Sequence, residues 1–514
     1  METFLLSDVG ELIFRLLDYQ SLKNCYKVCT SWKGFLGKQP FFWRRFTIRH
    51  PGWSELWNNV SRETLSILGE SFFAIENNKD FIKGIHPIFC AIHSTNMEIF
   101  SELTRVYPQF QELNITLRRS YRVYKDLPAF HYAAMQGNVK MVEFFIEIAV
   151  SGSKNPKNEW ESTPLHFASS FGHSEVVKLL LDNIENGKNP KPLNGHTPLH
   201  AASRSGHLEV VRLLIDNNDE ENNPQDENGW TALHFAALYG HYEVCKLLLD
   251  KIEGEKNLPN KFGETPLHYA SERGHLEVVR LLLDNIEGEK YPKTYRFGAT
   301  PLHYASYHGR LEVVRLLIDN IDVQKLKDHR GFTPLHSAAQ HNQLEIVQLL
   351  LDNIEGEKNL RDRYGRTPLH YASYFGYLKV VRLLIDNIDP QNRNPEDREG
   401  RTPLHVASEF DHLEITRLLL DNIKRENNPE DQKGKTPLHI AYELGHSGVV
   451  TLLLNKIDVA DLCVFIIMNP RLVTMSHPKV ALASLFWPVF SAMALIVARG
   501  LYKNRSLVHC IEEN

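Results

Sequence analysis

Histidine is the residue type in this chain whose number and spacing could do chemistry. There are 25 of them in 514 residues. Nine close a Thr-Pro-Leu-His string, written Thr-Ala-Leu-His once: His166, His200, His234, His268, His303, His336, His370, His405 and His439. Their intervals are 33 to 35 residues. Imidazoles at a fixed period suit two tasks, ligating a metal or hydrogen-bonding a recurring turn. A zinc–nitrogen bond is only about 2.0–2.1 Å long, so metal ligands must converge on one point. One ring per repeating unit does not converge. The spacing therefore predicts that each ring bonds its own turn and the adjacent unit, because a buried polar group has to be paired. The Gly-His pairs ending in His173, His207, His241, His275 and His446 belong to the same grammar. No metal site and no cofactor site is expected.

Other chemistries leave no trace. The chain lacks G-x-S-x-G, a Walker loop, H-E-x-x-H and an EF-hand loop. Its six cysteines include no C-x-x-C pair, which argues against a disulfide framework or a zinc knuckle and fits a reducing compartment. Cys25 and Cys29 read as packing residues. Lys and Arg total 58 against 63 Asp and Glu, a net charge of -5 that offers nucleic acid no whole-chain attraction. The opening residues have no basic region and too short an apolar run for a signal peptide. The chain is expected not to be an enzyme.

The elements that position the histidines can be read from one copy, residues 264–298. Thr265 suits a helix N-cap, and Pro266 suits the first turn, where its missing N–H costs nothing. Leu267, Ala270 and Ser271 give a short helix with a small-residue face, and Gly274 ends it. Leu276 to Leu283 reads as a second helix with a broad apolar face, and Glu277 and Arg280 can pair at i,i+3 on its outer side. Arg212, Arg280, Arg315, Arg382 and Arg417 share that outer position and are expected on a solvated face. After the second helix comes Asp-Asn-Ile, as in Asp284-Asn285-Ile286, where Asn is expected in a left-handed cap position. Such a unit cannot bury its apolar face alone, so units must stack.

This pattern resembles the ankyrin repeat: a turn, two antiparallel helices and the T-P-L-H-x-A opening. The resemblance implies an all-α fold, an α-solenoid of ankyrin helix pairs with short β-hairpin loops. Nine regular copies are expected over 158–456 and degenerate copies over 86–157. One degenerate copy is carried by Phe130-His131-Tyr132-Ala133-Ala134 with Gly137, the other by His86-Pro87-Ile88-Phe89-Cys90-Ala91. A helical linker is expected over 49–85.

Residues 1–48 break the period. Val9, Leu12, Ile13, Leu16 and Leu17 recur at helical spacing, and Leu22, Cys25, Val28, Cys29 and Trp32 do so again. Their order, with Val28-Cys29-x-x-Trp32 and then Phe42-Trp43-Arg44-Arg45-Phe46, resembles the F-box, although Leu6 stands where that family has Pro. The resemblance implies that Leu5, Val9, Ile13, Leu17, Leu22, Val28 and Trp32 bind a Skp-type adaptor of a cullin ubiquitin ligase. The same residues would also serve as a helical cap on the repeats. At the other end, 480–498 is 19 residues without a charge, bracketed by Lys479 and Arg499. About 20 apolar residues span a bilayer, so the segment suits a transmembrane tail anchor, with the repeats facing the cytosol. It suits equally a hydrophobic cap on the last repeat.

Ankyrin arrays bind through hairpin tips and the exposed ends of the first helices, which form their concave face. Here those slots vary while the frame stays fixed. They hold Trp230, Tyr239, Phe262, Arg273, Arg296, Tyr307, Arg330, Phe332, Arg363, Tyr364, Tyr374 and Phe375. Aromatic residues and Arg are the types enriched at interface hot spots. Some of these rings could instead pack between tips. The expectation is a substrate receptor of a Skp–cullin–F-box ubiquitin ligase, cytoplasmic or nuclear, holding an unidentified protein with an acidic, partly apolar surface. The alternative is a non-enzymatic scaffold, tethered to a membrane by its tail.

Overall fold

The structure is a computed structural model that describes residues 67, 68, 98, 99, 103, 116–118, 126–148, 154–184, 190–217, 223–252, 256–286, 291–319, 326–423 and 429–456. The F-box-like residues Leu5 to Trp32 and the apolar stretch 480–498 lie outside the described residues, as do most of 49–85 and the His86 copy.

After the helical residues 67, 68, 98, 99 and 103 comes an antiparallel pair, β1 (Thr116–Arg118) and β2 (Asp126–Pro128), with Leu117 opposite Leu127. Twenty α-helices follow, in ten pairs. The described residues fall into two compact units, the first reaching Lys261 and including Leu281–Glu287, the second made of Phe262–Arg280 and the chain from Gly288. The first holds the pairs α1 (Ala129–Met135) and α2 (Val139–Ile148), α3 (Pro164–Phe171) and α4 (Ser174–Asn183), α5 (Pro198–Ser205) and α6 (Leu208–Asp216), and α7 (Ala232–Tyr239) and α8 (Tyr242–Lys251). Helices α9 (Pro266–Arg273) and α10 (Leu276–Asn285) fall where the two units divide the sequence. The second unit continues with α11 (Pro301–Tyr307) and α12 (Leu311–Ile318), α13 (Pro334–Gln340) and α14 (Leu344–Asp352), and α15 (Pro368–Phe375) and α16 (Leu378–Asn387). It ends with α17 (Pro403–Glu409) and α18 (Leu413–Asn422), and α19 (Pro437–Glu443) and α20 (Ser447–Lys456). The degenerate copy at Phe130 is thus a full helix pair, with Phe130 and Phe145 stacked at 5.2 Å.

Within each unit the first helix of a pair packs on the first helix of the next, and second helices do likewise. The residues doing so are those the helical period singles out. In α16, Val380, Val381, Leu384 and Ile385 are buried, and in α15 Leu369 and Ala372 are. Glu277 and Arg280 do meet on the outer face, at 4.0 Å, as do Glu209 and Arg212, Glu312 and Arg315, and Glu414 and Arg417. All are exposed, so each pair contributes a few tenths of a kcal/mol at most.

The loops between pairs carry no strand among the described residues. Each is a turn whose tip bonds to the next tip by one backbone bond: His329 N–H to Phe297 O at 2.7 Å, Arg363 to Arg330, and Arg398 to Tyr364 at 2.8 Å. A buried aspartate fixes the turn. Asp328 Oδ1 accepts from the N–H of Arg330 at 2.7 Å and of Phe332 at 2.8 Å, and Asp226, Asp362, Asp397 and Asp431 repeat the arrangement.

The Asn of Asp-Asn-Ile is not a left-handed cap. Among the described residues only Glu161, Asn342 and Asp411 have positive φ outside glycine. Instead the side-chain amide turns back along the helix. Asn285 Nδ2 donates to Leu281 O at 2.9 Å, Asn387 to Leu383 O at 3.0 Å and Asn422 to Leu418 O at 2.8 Å. This satisfies one of the carbonyls a helix end leaves orphaned. The Ile that follows stays extended and is buried, at Ile184 and Ile388.

Candidate protein-binding face

The recurring histidines are the fasteners of the frame. In each regular repeat the Thr N–H donates to Nδ1 of the His three residues on, at 3.0 Å for Thr163 and His166 and 3.1 Å for Thr367 and His370. An Nδ1 that accepts leaves the proton on Nε2. Nε2 then donates to a carbonyl one repeat further on: His200 to Trp230 O, His303 to Phe332 O and His370 to Arg401 O, each at 3.0 Å. Burial disfavours the charged ring and pushes His200, His268, His303, His336, His370 and His405 down to about 4, and His166 to about 3.

The Gly-His histidines stitch in the opposite direction, which the sequence pattern did not disclose. His207 Nε2 bonds Ser170 O at 3.1 Å, and His241 bonds Arg204 O at 3.0 Å. Where His is replaced, another donor takes the bond: Arg310 Nε reaches Glu272 O at 2.8 Å. The ring lies against the glycine that ends the preceding first helix. A Cβ on Gly172, whose φ is 78°, would sit 2.5 Å from His207 Nδ1. Both ring systems are therefore consumed within the frame. Between them lie the tips and the first-helix ends.

Of the twelve residues expected there, eleven reach the surface at least in part. In the first unit Tyr239 is exposed with the Arg204 guanidinium 5.6 Å from its ring centre, while Trp230 is half-buried against Phe235 at 4.9 Å. In the second unit Phe262 is 56% exposed, and Arg273 pairs with Glu272 at 3.5 Å. Arg296 and Arg330 both lie over Phe297, at 4.9 and 5.1 Å, and Arg363 lies over Tyr364 at 5.1 Å. Tyr307 sits on His341 at 3.7 Å. Tyr374 contacts Phe375 at 4.8 Å and Phe410 at 4.4 Å, and all three rings are exposed. The exception is Phe332, only 9% exposed. Its ring packs on His336 at 4.8 Å and Tyr371 at 5.1 Å, so it fills a repeat junction and is not a contact surface.

A family model described as Ankyrin repeats (3 copies) matches residues 88–191, 182–260, 252–327, 320–394 and 389–462. The chain belongs to the ankyrin-repeat family. The match runs from 88 to 462, well over half of the 514 residues. Ankyrin repeats are protein-binding frames, so the coarse role of the array is to hold another protein. Among the described residues no helix is long and apolar enough to cross a membrane.

The ankyrin face also contains a cavity of about 260 Å³ between the repeats of His370 and His405. Arg366, Arg401, Tyr371, Tyr374, Phe375 and Val406 supply most of its lining. Arg366 Nε is 3.6 Å from Asp397 Oδ2, and Arg401 pairs with Glu409. Tyr371 donates to Asp362 Oδ2 at 2.8 Å. Burial, reinforced by that carboxylate, pushes the Tyr371 hydroxyl well above its ordinary value. Arg366 and Arg401 are visible in the sequence as tip residues. Val406 is not conspicuous, and the signal is what it replaces: an aromatic ring occupies its position at Phe167, Phe235, Tyr269, Tyr304 and Tyr371.

Proposed function

We propose that this ankyrin protein is the substrate-recognition subunit of a Skp–cullin–F-box ubiquitin ligase. The observation that carries the reading is the string Leu5 to Trp32, with Val28-Cys29-x-x-Trp32, placed ahead of an array whose variable slots expose Arg and aromatic side chains. The N-terminal segment would dock on the adaptor through Leu5, Val9, Ile13, Leu17, Leu22, Val28 and Trp32. The tips and first-helix ends would hold the protein to be modified. The contribution of this chain is then proximity: the array raises the local concentration of substrate lysines beside a ubiquitin-loaded enzyme carried by other subunits. Co-purification of the full chain with a Skp-type adaptor tests it. The native chain should retain the adaptor, and Leu22→Asp with Trp32→Ala should lose it. A native chain that retains no adaptor fails the reading.

A second reading rests on the uncharged stretch 480–498. In it the protein is an ankyrin scaffold held at a membrane by its tail, with no ubiquitin role. Carbonate extraction of membranes separates the cases: a chain released into the supernatant is not anchored.

A further inference from the structure

We infer that the cavity between the repeats of His370 and His405 is an anchor for an anionic group, a carboxylate or phosphate, of the protein held on this face. The inference rests on the reading of the array as a protein-binding frame and names the chemistry of its partner. It starts from the slot immediately before each capping threonine. Along the second unit that slot holds Glu264, Ala299, Phe332, Arg366, Arg401 and Lys435. Two consecutive guanidinium groups thus occur only at 366 and 401, and both line the cavity.

The space exists because two rings are missing. At the junction before it, Phe332 and Tyr371 meet edge to face over His336 and fill the gap. At the next junction the corresponding residues are Arg366 and Val406. A guanidinium at the mouth and an isopropyl group at the floor replace two aromatic rings. About 260 Å³ is left, enough for one side chain.

The lining asks for an acceptor. The imidazole of His370 is spent on Thr367 and Arg401 O. Asp397 Oδ1 is spent on the N–H groups of Glu399 and Arg401, at 2.8 and 2.9 Å. Arg401 is engaged with Glu409, yet its Nε is buried with no hydrogen-bond partner among the described residues. Of the charged lining residues two are cationic, Arg366 and Arg401, and one is anionic, Asp397. Two guanidinium groups lining one cavity against a single lining carboxylate are completed by an anion, and charge-assisted bonds of this kind are the strong ones. The exposed rings of Tyr374, Phe375 and Phe410 lie alongside for a neighbouring apolar residue.

Ligand-observed saturation-transfer NMR on the full chain tests this with defined probes: the N-acetyl amides of glutamate, phosphoserine and glutamine. Glutamate or phosphoserine should bind with a Kd of about 1–10 mM, the scale expected of so small a ligand, and glutamine should not. The stronger of the two anions identifies the source of the group. Arg401→Gln should weaken binding about tenfold or more, and Val406→Phe, which restores the ring most repeats carry, should abolish it. Glutamine binding as well as the anions, no transfer from either anion below about 50 mM, or a Val406→Phe chain that binds like the native one each overturns the inference. The adaptor pull-down is indifferent to all of these outcomes, so this inference and the ubiquitin-ligase reading fail separately.

Discussion

Two neighbouring repeat junctions share one frame and differ in what fills it. At His336 the ring bonds Thr333 and Arg366 O, and Phe332 and Tyr371 close the space above it. At His370 the same two bonds are made, to Thr367 and Arg401 O, but the space is an open cavity lined by Arg366, Arg401 and Val406. The backbone route, the cap and the stitch are common to both. Closure is decided by two side chains in variable slots. An array built this way can acquire or lose a binding pocket without disturbing the bonds that hold it together.

The largest expected effect falls on what the two junctions share. Six buried histidines, His200, His268, His303, His336, His370 and His405, have folded values near 4 against an ordinary 6.5. The folded chain therefore binds fewer protons than the unfolded chain between those two values. Full stability is present above pH 6.5 and is lost as pH falls toward 4. At pH 5 each ring costs about 2 kcal/mol, so six together are comparable to the whole stability of a typical domain. Circular dichroism in urea should show the unfolding midpoint dropping steeply between pH 6.5 and 5, with the helical signal gone near pH 4. A midpoint flat across that window would mean the rings are not buried neutral stitches.

A smaller effect should separate the junctions. Phe332→Ala removes a ring packed on both His336 and Tyr371 and should cost about 2–4 kcal/mol. Val406→Phe adds a ring where there is already room, so its change should stay within about 1 kcal/mol. Urea denaturation of the two variants at pH 7.5 checks both. Equal losses at 332 and 406 would mean that the second junction is not open.

Much of this frame was legible from residue types alone. The period, the Thr cap, Pro in the first turn, the helix-ending Gly and the apolar stripe of the second helix each follow from local chemistry, and Glu277 and Arg280 pair where a helical surface puts them. What stayed hidden required two repeats to be seen at once. The backward bond of His207 to Ser170 O spans 37 residues, and nothing within one repeat announces it. Asn285 was expected in a left-handed cap, and the bond from its side chain to Leu281 O, made with the residue still helical, overturns that. Phe332 looked like a tip residue because its slot is a tip slot, and only the partner ring of Tyr371 buries it. The cavity was invisible for the converse reason, since Val406 matters through the ring it lacks.

The smallest effect sharpens the comparison most, because it should be equal in stability and opposite in binding. Asp328 and Asp397 hold corresponding tips, each accepting two backbone N–H groups through Oδ1 at 2.7–2.9 Å. Alanine at either position leaves those donors to water and should cost about 1–2 kcal/mol in urea denaturation. The second carboxylate oxygen differs in its consequence. Asp328 Oδ2 faces Arg330 at 3.4 Å, at the closed junction, whereas Asp397 Oδ2 faces Arg366 at 3.6 Å, at the mouth of the cavity. Removing the Asp397 charge frees Arg366 for an incoming anion. Asp397→Ala should therefore bind N-acetyl-glutamate amide several-fold more tightly than the native chain, and Asp328→Ala should bind it unchanged. If both variants shift affinity alike, the carboxylates act through the field of the whole face and the cavity has no charge chemistry of its own.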